Sequence, residues 1–271
     1  MTGTRRVLVV TAVPPERDAV VLSAGAAPEP LPLLDHLVLH RVRPPGRGGN
    51  GPGGLLVDTL AAGVGPAAAA AGTSAVLALA PGAYEVVISA GIAGGFAPAV
   101  AVGGTVVASA IVAADLGGQT AEGFTDVAQM GVGVVAHRPP PGLARALAEA
   151  AGAVLAPVLT VSTVTGTAPR AEELAGRHAG AAAEAMEGFG VATAAALFGV
   201  PALEVRTVSN AVGPRDRAAW RIPEALRALT DAFAAIWPVL DGRQVMDVRE
   251  ARDVPDVRDD DSGRNRGGRV P

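Results

Sequence analysis

The chain of 271 residues predicts a single three-layer αβα domain, with helices on both faces of a central sheet. Three observations carry that expectation. Short runs rich in Val, Leu and Ile recur at residues 7–10, 37–42, 55–60, 85–90, 105–113, 154–162 and 202–209, and most are too apolar to have one wet face. Alanine-rich stretches of helical length lie between them, at 66–80, 141–151, 168–178, 188–198 and 222–240. A composition 49% hydrophobic and only 18% charged supplies enough apolar material for one core of this size.

The first run, 7–10, is read as a strand and not as a leader, because Glu16, Arg17 and Asp18 stand where a cleavage site would carry small residues. Pro14 and Pro15 then start a helix, and Glu16 in its first turn either offsets the helix dipole or presents a carboxylate at the strand's end. Residues 44–54, PPGRGGNGPGG, join two strand-like runs and read as a flexible insertion. Gly63-Val64-Gly65-Pro66 opens the next helix, with amides suited to a phosphate or a ribose hydroxyl, but it lacks the third glycine of a dinucleotide fingerprint. Ser89-Ala90-Gly91-Ile92-Ala93-Gly94-Gly95-Phe96 is expected to be a glycine-rich turn after a buried strand, either a plain tight turn or a place where backbone approaches a ligand. From residue 241 the composition turns to Arg, Asp and Gly, so the folded domain is assigned to 1–240 and a disordered tail to 241–271.

Several classes are excluded. With 22 basic against 26 acidic residues the chain lacks the positive footprint of a nucleic-acid binder. The absence of cysteine removes thiolate chemistry, and there is no lysine for a phosphate loop and no GxSxG elbow. The histidines, His36, His40, His137 and His178, have no metal-binding spacing. No uninterrupted apolar stretch is long enough to span a bilayer, so a soluble cytoplasmic protein without metal or cofactor is expected.

Two apolar runs end in polar groups, Glu187 after Ala185-Met186 and Asn210 after residues 205–209, and they bracket the helix at 188–198. In α/β sheets ligands sit just beyond such strand ends. Together with AVPPE at 12–16, AAGVGPAAAA at 61–70, SAGIAGGFAPAVAVGG at 89–104 and EVRTVSNAVGPRDRAAW at 204–220, the EAMEG block at 184–188 resembles the nucleoside phosphorylase/nucleosidase superfamily, in order and in approximate spacing. The resemblance spans roughly residues 5–240, and the futalosine hydrolase branch, which serves a route to menaquinone, is the nearest in appearance.

That resemblance implies a mixed central sheet, a homo-oligomer, dimer first, and a small purine nucleoside as substrate. It implies that Glu187 accepts hydrogen bonds from the ribose 2′- and 3′-hydroxyls while Met186 packs under the sugar. Glu16 would activate the attacking water, and the backbone of Ile92 and Ala93 would wall the base and sugar. Val164 and Thr165 would line the base in place of the aromatic residue found in adenosine-type relatives. Asn210 stands where those relatives carry an aspartate. A neutral amide offers both a donor and an acceptor, which suits O6 and N7–H of a 6-oxopurine better than a 6-aminopurine. Arg206, on the same strand, is expected either to orient Asn210 or a loop carboxylate or to form a structural ion pair. Arg215, Arg217 and Trp220 form a basic and aromatic cluster, of which Arg215 and Trp220 are assigned to a substrate carboxylate; a solvated helix start is the alternative. The reaction expected is hydrolysis of futalosine to hypoxanthine and dehypoxanthinyl futalosine. Phosphorolysis of a 6-oxopurine nucleoside, methylthioadenosine/S-adenosylhomocysteine hydrolysis and nucleoside binding without catalysis are the rivals.

Overall fold

A computed structural model describes residues 4–34, 37–45 and 54–242. Apart from Pro44, Pro45 and Gly54, the insertion expected at 44–54 lies outside the described residues, as does the tail expected after 242. Asp241 and Gly242 themselves end the last helix.

The sheet is built outward from β1 (Arg5–Thr11), which pairs in parallel with β4 (Leu55–Ala61) on one side and β5 (Val86–Gly95) on the other. Val7, Leu8, Val9 and Val10 are all buried, which is why this run has no polar alternation. Beyond β4 the sheet continues antiparallel through β3 (Leu37–Val42) to β2 (Glu29–Leu34). β2 was not expected, because Pro30 and Pro32 argue against a strand; it is tolerated as an edge, where a missing N–H breaks no ladder on the open side. On the other flank β5 pairs in parallel with β12 (Ala202–Ala211), β12 antiparallel with β6 (Thr105–Ala113), and β6 in parallel with β10 (Val154–Thr160). β10 pairs with the three-residue β11 (Ala183–Ala185), which returns to β5 through Ala183 opposite Gly95 and Glu184 opposite Gly94. Strands β5, β12, β6, β10 and β11 therefore close on themselves, and the sheet is mixed.

Helices α1 (Pro14–Leu22), α3 (Pro141–Ala151) and α6 (Ile222–Gly242) cover one face, where Val9, Ile88, Val205, Leu147, Phe233, Ile236 and Trp237 make the largest core. α2 (Pro66–Leu79) and α5 (Gly188–Leu197) cover the other, where Val191 of α5 packs with Leu8, Val10, Leu60 and Val87 of the sheet. Close passage of these two helices depends on glycine: a Cβ on Gly190 would lie 2.8 Å from the carbonyl carbon of Pro66. α4 (Ala168–Arg177) packs Leu174 against Phe96, Leu159 and Val161 at the closed end. A short hairpin, β7 (Gly117–Thr120) with β8 (Gly123–Asp126), and the two-residue β9 (Ala136–His137) are too short and polar to leave a periodic signal.

Residues 91–95 differ from expectation. They are the second half of β5, paired with both β12 and β11, and not a turn. Glycine serves here to let other groups lie against the strand, and only its long-range neighbours reveal that.

One buried polar cluster lies in the open half of the sheet. Asp58, with no exposure, accepts from Arg41 Nε at 2.7 Å, Arg6 Nε at 2.8 Å and Tyr84 Oη at 2.7 Å. Burial alone would raise the Asp58 pKa, but Arg41, Tyr84 and Arg6 outweigh it and hold the carboxyl below its ordinary value.

Candidate active site

At the C-terminal end of β1 the chain turns into α1, and Glu16 folds back over that turn. Its Oε2 accepts from the amides of Ala12 at 3.0 Å and Val13 at 3.2 Å. Its Oε1 crosses to the amide of Ile92 in β5, at 2.9 Å. Glu16 is thus both a cap of its own helix and a carboxylate fixed to the neighbouring strand. Burial raises its pKa, opposed by Arg206 and by the Ile92 amide.

Glu187 precedes α5 and is 5% exposed. Its Oε1 accepts from the amide of Gly65, at the start of α2, at 3.1 Å, and its Oε2 from the amide of Met186 at 3.3 Å. The helix-start amide at Gly65, expected to be open to a phosphate or ribose oxygen, is therefore held by a carboxylate of the chain itself. The same Glu187 Oε2 lies 3.2 Å from Nη1 of Arg206.

Arg206 ties these groups together, although it does not orient Asn210. It is fully buried; Nε donates to Glu204 at 2.9 Å and Nη2 to Ser89 Oγ at 2.9 Å. Gly91 is placed opposite Arg206 in the sheet, and a Cβ there would collide with the Glu16 carboxylate and lie 2.8 Å from Arg206 Nη1. One guanidinium thus faces three carboxylates. Burial pushes the Glu204 carboxyl up to about 7, since Arg206 only partly offsets the loss of water, and Glu204 Oε2 has no hydrogen-bond partner among the described residues.

A cleft opens where β5, β11 and β12 end. Asn210, Val164, Thr165, Arg215 and Trp220 line it together, with Gly94, Glu184 and the turn 211–214. Asn210 is fixed by its neighbours: Oδ1 accepts from Ser209 Oγ at 2.8 Å and Nδ2 donates to the Ala211 carbonyl at 3.0 Å. Arg215 Cζ sits 5.8 Å from the centre of the Trp220 ring. Arg217 is in the following turn of 3₁₀ helix and does not line the cleft. Glu16, Glu187, Met186, Ile92 and Ala93 are not among the cleft's lining residues; the link between the two is β5, whose Ile92 donates to Glu16 and whose Gly94, two residues on, lines the cleft.

Two residues of this region escaped the sequence reading. Glu184 is 5% exposed, accepts from the amide of Thr165 at 2.8 Å and from its hydroxyl, and has a pKa raised by burial. Glu204 was read only as part of an apolar strand. A carboxylate inside a short apolar run was the available signal for both. Among the described residues no three His, Asp or Glu side chains are arranged to hold a metal ion, and no helix is long and apolar enough to cross a membrane.

A closed five-strand end, two helix starts converging on one carboxylate and an amide at the end of β12 define a mixed α/β fold whose polar site lies at the strand ends. The chain belongs to the phosphorylase superfamily, whose family model matches residues 8–237. It is 58% identical over 239 residues to the futalosine hydrolase of Streptomyces coelicolor, which covers 86% of this chain and 96% of that protein. Among solved structures, the methylthioadenosine/S-adenosylhomocysteine nucleosidase of Colwellia psychrerythraea, in complex with adenine, superposes with a TM-score of 0.74 at 20% identity, covering 90% of this chain and 98% of that one. The futalosine hydrolase of Helicobacter pylori superposes with a TM-score of 0.70 at 17% identity, covering 86% and 97%.

Proposed function

We infer that this protein is an N-glycosyl hydrolase that cleaves futalosine, releasing hypoxanthine and dehypoxanthinyl futalosine. The observation that carries the chemistry is the pair Glu16 and Glu187 gathered around one buried guanidinium. The substrate follows from the name and high identity of the Streptomyces relative, and Asn210 fits it.

In this reading Glu187, anchored by Gly65 and Arg206, holds the ribose diol and presents C1′. Glu16 takes a proton from the water that attacks C1′ as the glycosidic bond lengthens through an oxocarbenium-like sugar. Asn210 has one amide hydrogen and one carbonyl lone pair left after its bonds to Ala211 and Ser209. Those suit O6 and N7–H of departing hypoxanthine. Arg215, beside Trp220, is placed to meet a carboxylate on the other half of the substrate. The raised pKa of Glu16 means that its basic form is lost at a higher pH than for an ordinary glutamate, so the acid limb of the rate profile should lie correspondingly high.

Phosphorolysis is disfavoured by charge. The Gly65 amide is taken by Glu187, and Arg206 is already shared among carboxylates, so a phosphate dianion would face unneutralised negative charge. A cytoplasmic homo-oligomer acting in a futalosine route to menaquinone completes the reading.

The test is product analysis with futalosine, inosine and methylthioadenosine, each with and without phosphate. Hypoxanthine from futalosine alone, independent of phosphate, is the expected result. Phosphate-dependent cleavage of inosine would make the protein a phosphorylase, and absence of product from all three would leave only a binding role.

A further inference from the structure

We propose that Glu204 is a positioning residue for the hydrolysis: by holding one side of the Arg206 guanidinium it fixes where the other side meets Glu187 and Glu16. The proposal rests on the nucleoside-hydrolase reading above and adds to it a residue that acts through Arg206.

The register of β5 and β12 sets up the clamp. Glu204 lies opposite Ser89 and Arg206 opposite Gly91, so the four positions form two neighbouring rows on one face of the paired strands. The Arg206 side chain reaches back along those rows, donating from Nε to Glu204 at 2.9 Å and from Nη2 to Ser89 Oγ at 2.9 Å. A guanidinium is planar and rigid, so fixing Nε and Nη2 fixes Nη1 as well. Nη1 is the corner that lies 3.2 Å from Glu187 Oε2 and that shares with Glu16 Oε1 the space a Cβ on Gly91 would take. Among the described residues Nη1 makes no hydrogen bond of its own, so its place is set by the other two corners.

Glu204 is itself held from behind. It has no exposure, and a Cβ on Gly188 would lie 2.3 Å from each of its carboxyl oxygens. Glycine directly after Glu187 is what leaves room for the clamp. An ion pair kept for stability alone would satisfy both oxygens, as happens at Asp58. Glu204 Oε2 instead has no partner among the described residues, and the cost of burying this carboxylate is borne for one aimed bond to Nε.

The experiment compares wild type with Glu204→Ala, Glu204→Gln and Gly188→Ala. It follows kcat for futalosine per folded molecule, affinity for free hypoxanthine by calorimetry, and exchange protection of the Arg206 Nε–H by NMR, assigned from its loss in Arg206→Lys. Glu204→Ala should expose the Nε–H to exchange and lower kcat by about 10- to 100-fold, the scale of a misplacement near 1 Å. Hypoxanthine affinity should stay within about threefold on the same scale, because Glu204 does not line the cleft. Glu204→Gln keeps an acceptor for Nε and should recover most of the kcat and of the protection. Gly188→Ala keeps the carboxylate but pushes it off Arg206, so it should mimic Glu204→Ala, and the two changes together should cost about as much as either alone. A kcat for Glu204→Ala within about twofold of wild type, a Glu204→Gln no better than Glu204→Ala, or additive losses in the double variant would overturn the proposal, since a purely structural role moves the unfolding free energy and leaves kcat per folded molecule in place. Wild type that cleaves futalosine with an unprotected Nε–H would sink the clamp alone; wild type that protects the Nε–H and cleaves no nucleoside would sink the hydrolase reading and leave the clamp standing.

Discussion

The molecule buries two clusters of charge in one sheet, and they are built on opposite principles. Around Asp58 two arginines and a tyrosine surround a single carboxylate, every oxygen is bonded, and the pKa is held down. Around Arg206 one guanidinium faces Glu16, Glu187 and Glu204; Glu204 Oε2 is orphaned among the described residues, and the pKa values of Glu16 and Glu204 are raised. The first arrangement leaves nothing for a ligand to satisfy. The second leaves charge and lone pairs unsatisfied, which is what a site needs if its stabilisation is to be completed by substrate or transition state.

Removing the proposed base tests that contrast most strongly. Glu16→Gln should lower kcat for futalosine by about 100- to 10,000-fold, the usual contribution of a positioned general base. Its unfolding free energy should stay within about 1 kcal/mol of wild type, because loss of one acceptor is set against relief of a buried charge. Near-normal turnover would remove Glu16 from the chemistry.

The reverse pattern is expected at the other cluster. Asp58→Asn should cost roughly 2 kcal/mol in urea unfolding, less than for a wholly buried pair because Arg6 and Arg41 keep 24% and 21% of their side-chain exposure. Turnover per folded molecule should be unchanged. A loss of kcat without loss of stability would show that the two clusters are coupled.

The smallest effect sharpens the comparison through pH. Native Glu204 binds its proton more firmly than the unfolded chain does, so between about pH 4.5 and 7 its contribution to stability falls as pH rises. Asp58 has the opposite sign: its contribution is present above its unfolded pKa and is lost as pH falls through the lower folded value. Glu204→Gln should flatten the decline between pH 4.5 and 7 and gain about 1 kcal/mol above pH 7 by relieving an under-compensated carboxylate. An unaltered slope, measured by urea unfolding across that range, would show that Glu204 does not titrate there.

Much of the fold was legible from residue order, because hydrophobic runs and helix punctuation are local signals. The run Val7–Val10 and the proline starts at Pro14 and Pro66 say strand or helix without reference to distant residues. The same holds for the polar strand ends that marked Glu187 and Asn210. Local chemistry misled where tertiary pairing overrode it. Pro30 and Pro32 sit in an edge strand, and Gly91, Gly94 and Gly95 sit in a strand and not a turn, because β12 and β11 supply partners that the local sequence does not announce.

What the sequence determined by itself is the α/β alternation, the family and the residue types of the site. Only the tertiary structure decided which of those residues meet: that Arg206 serves Glu187 and Glu204 and not Asn210, that Gly65 is consumed by Glu187 across 122 positions, and that Glu184 faces the cleft. The physical reason is that strand and helix propensities act over a few neighbours, whereas a buried charge is defined by the groups that replace its water, and the closing of the sheet chooses those groups.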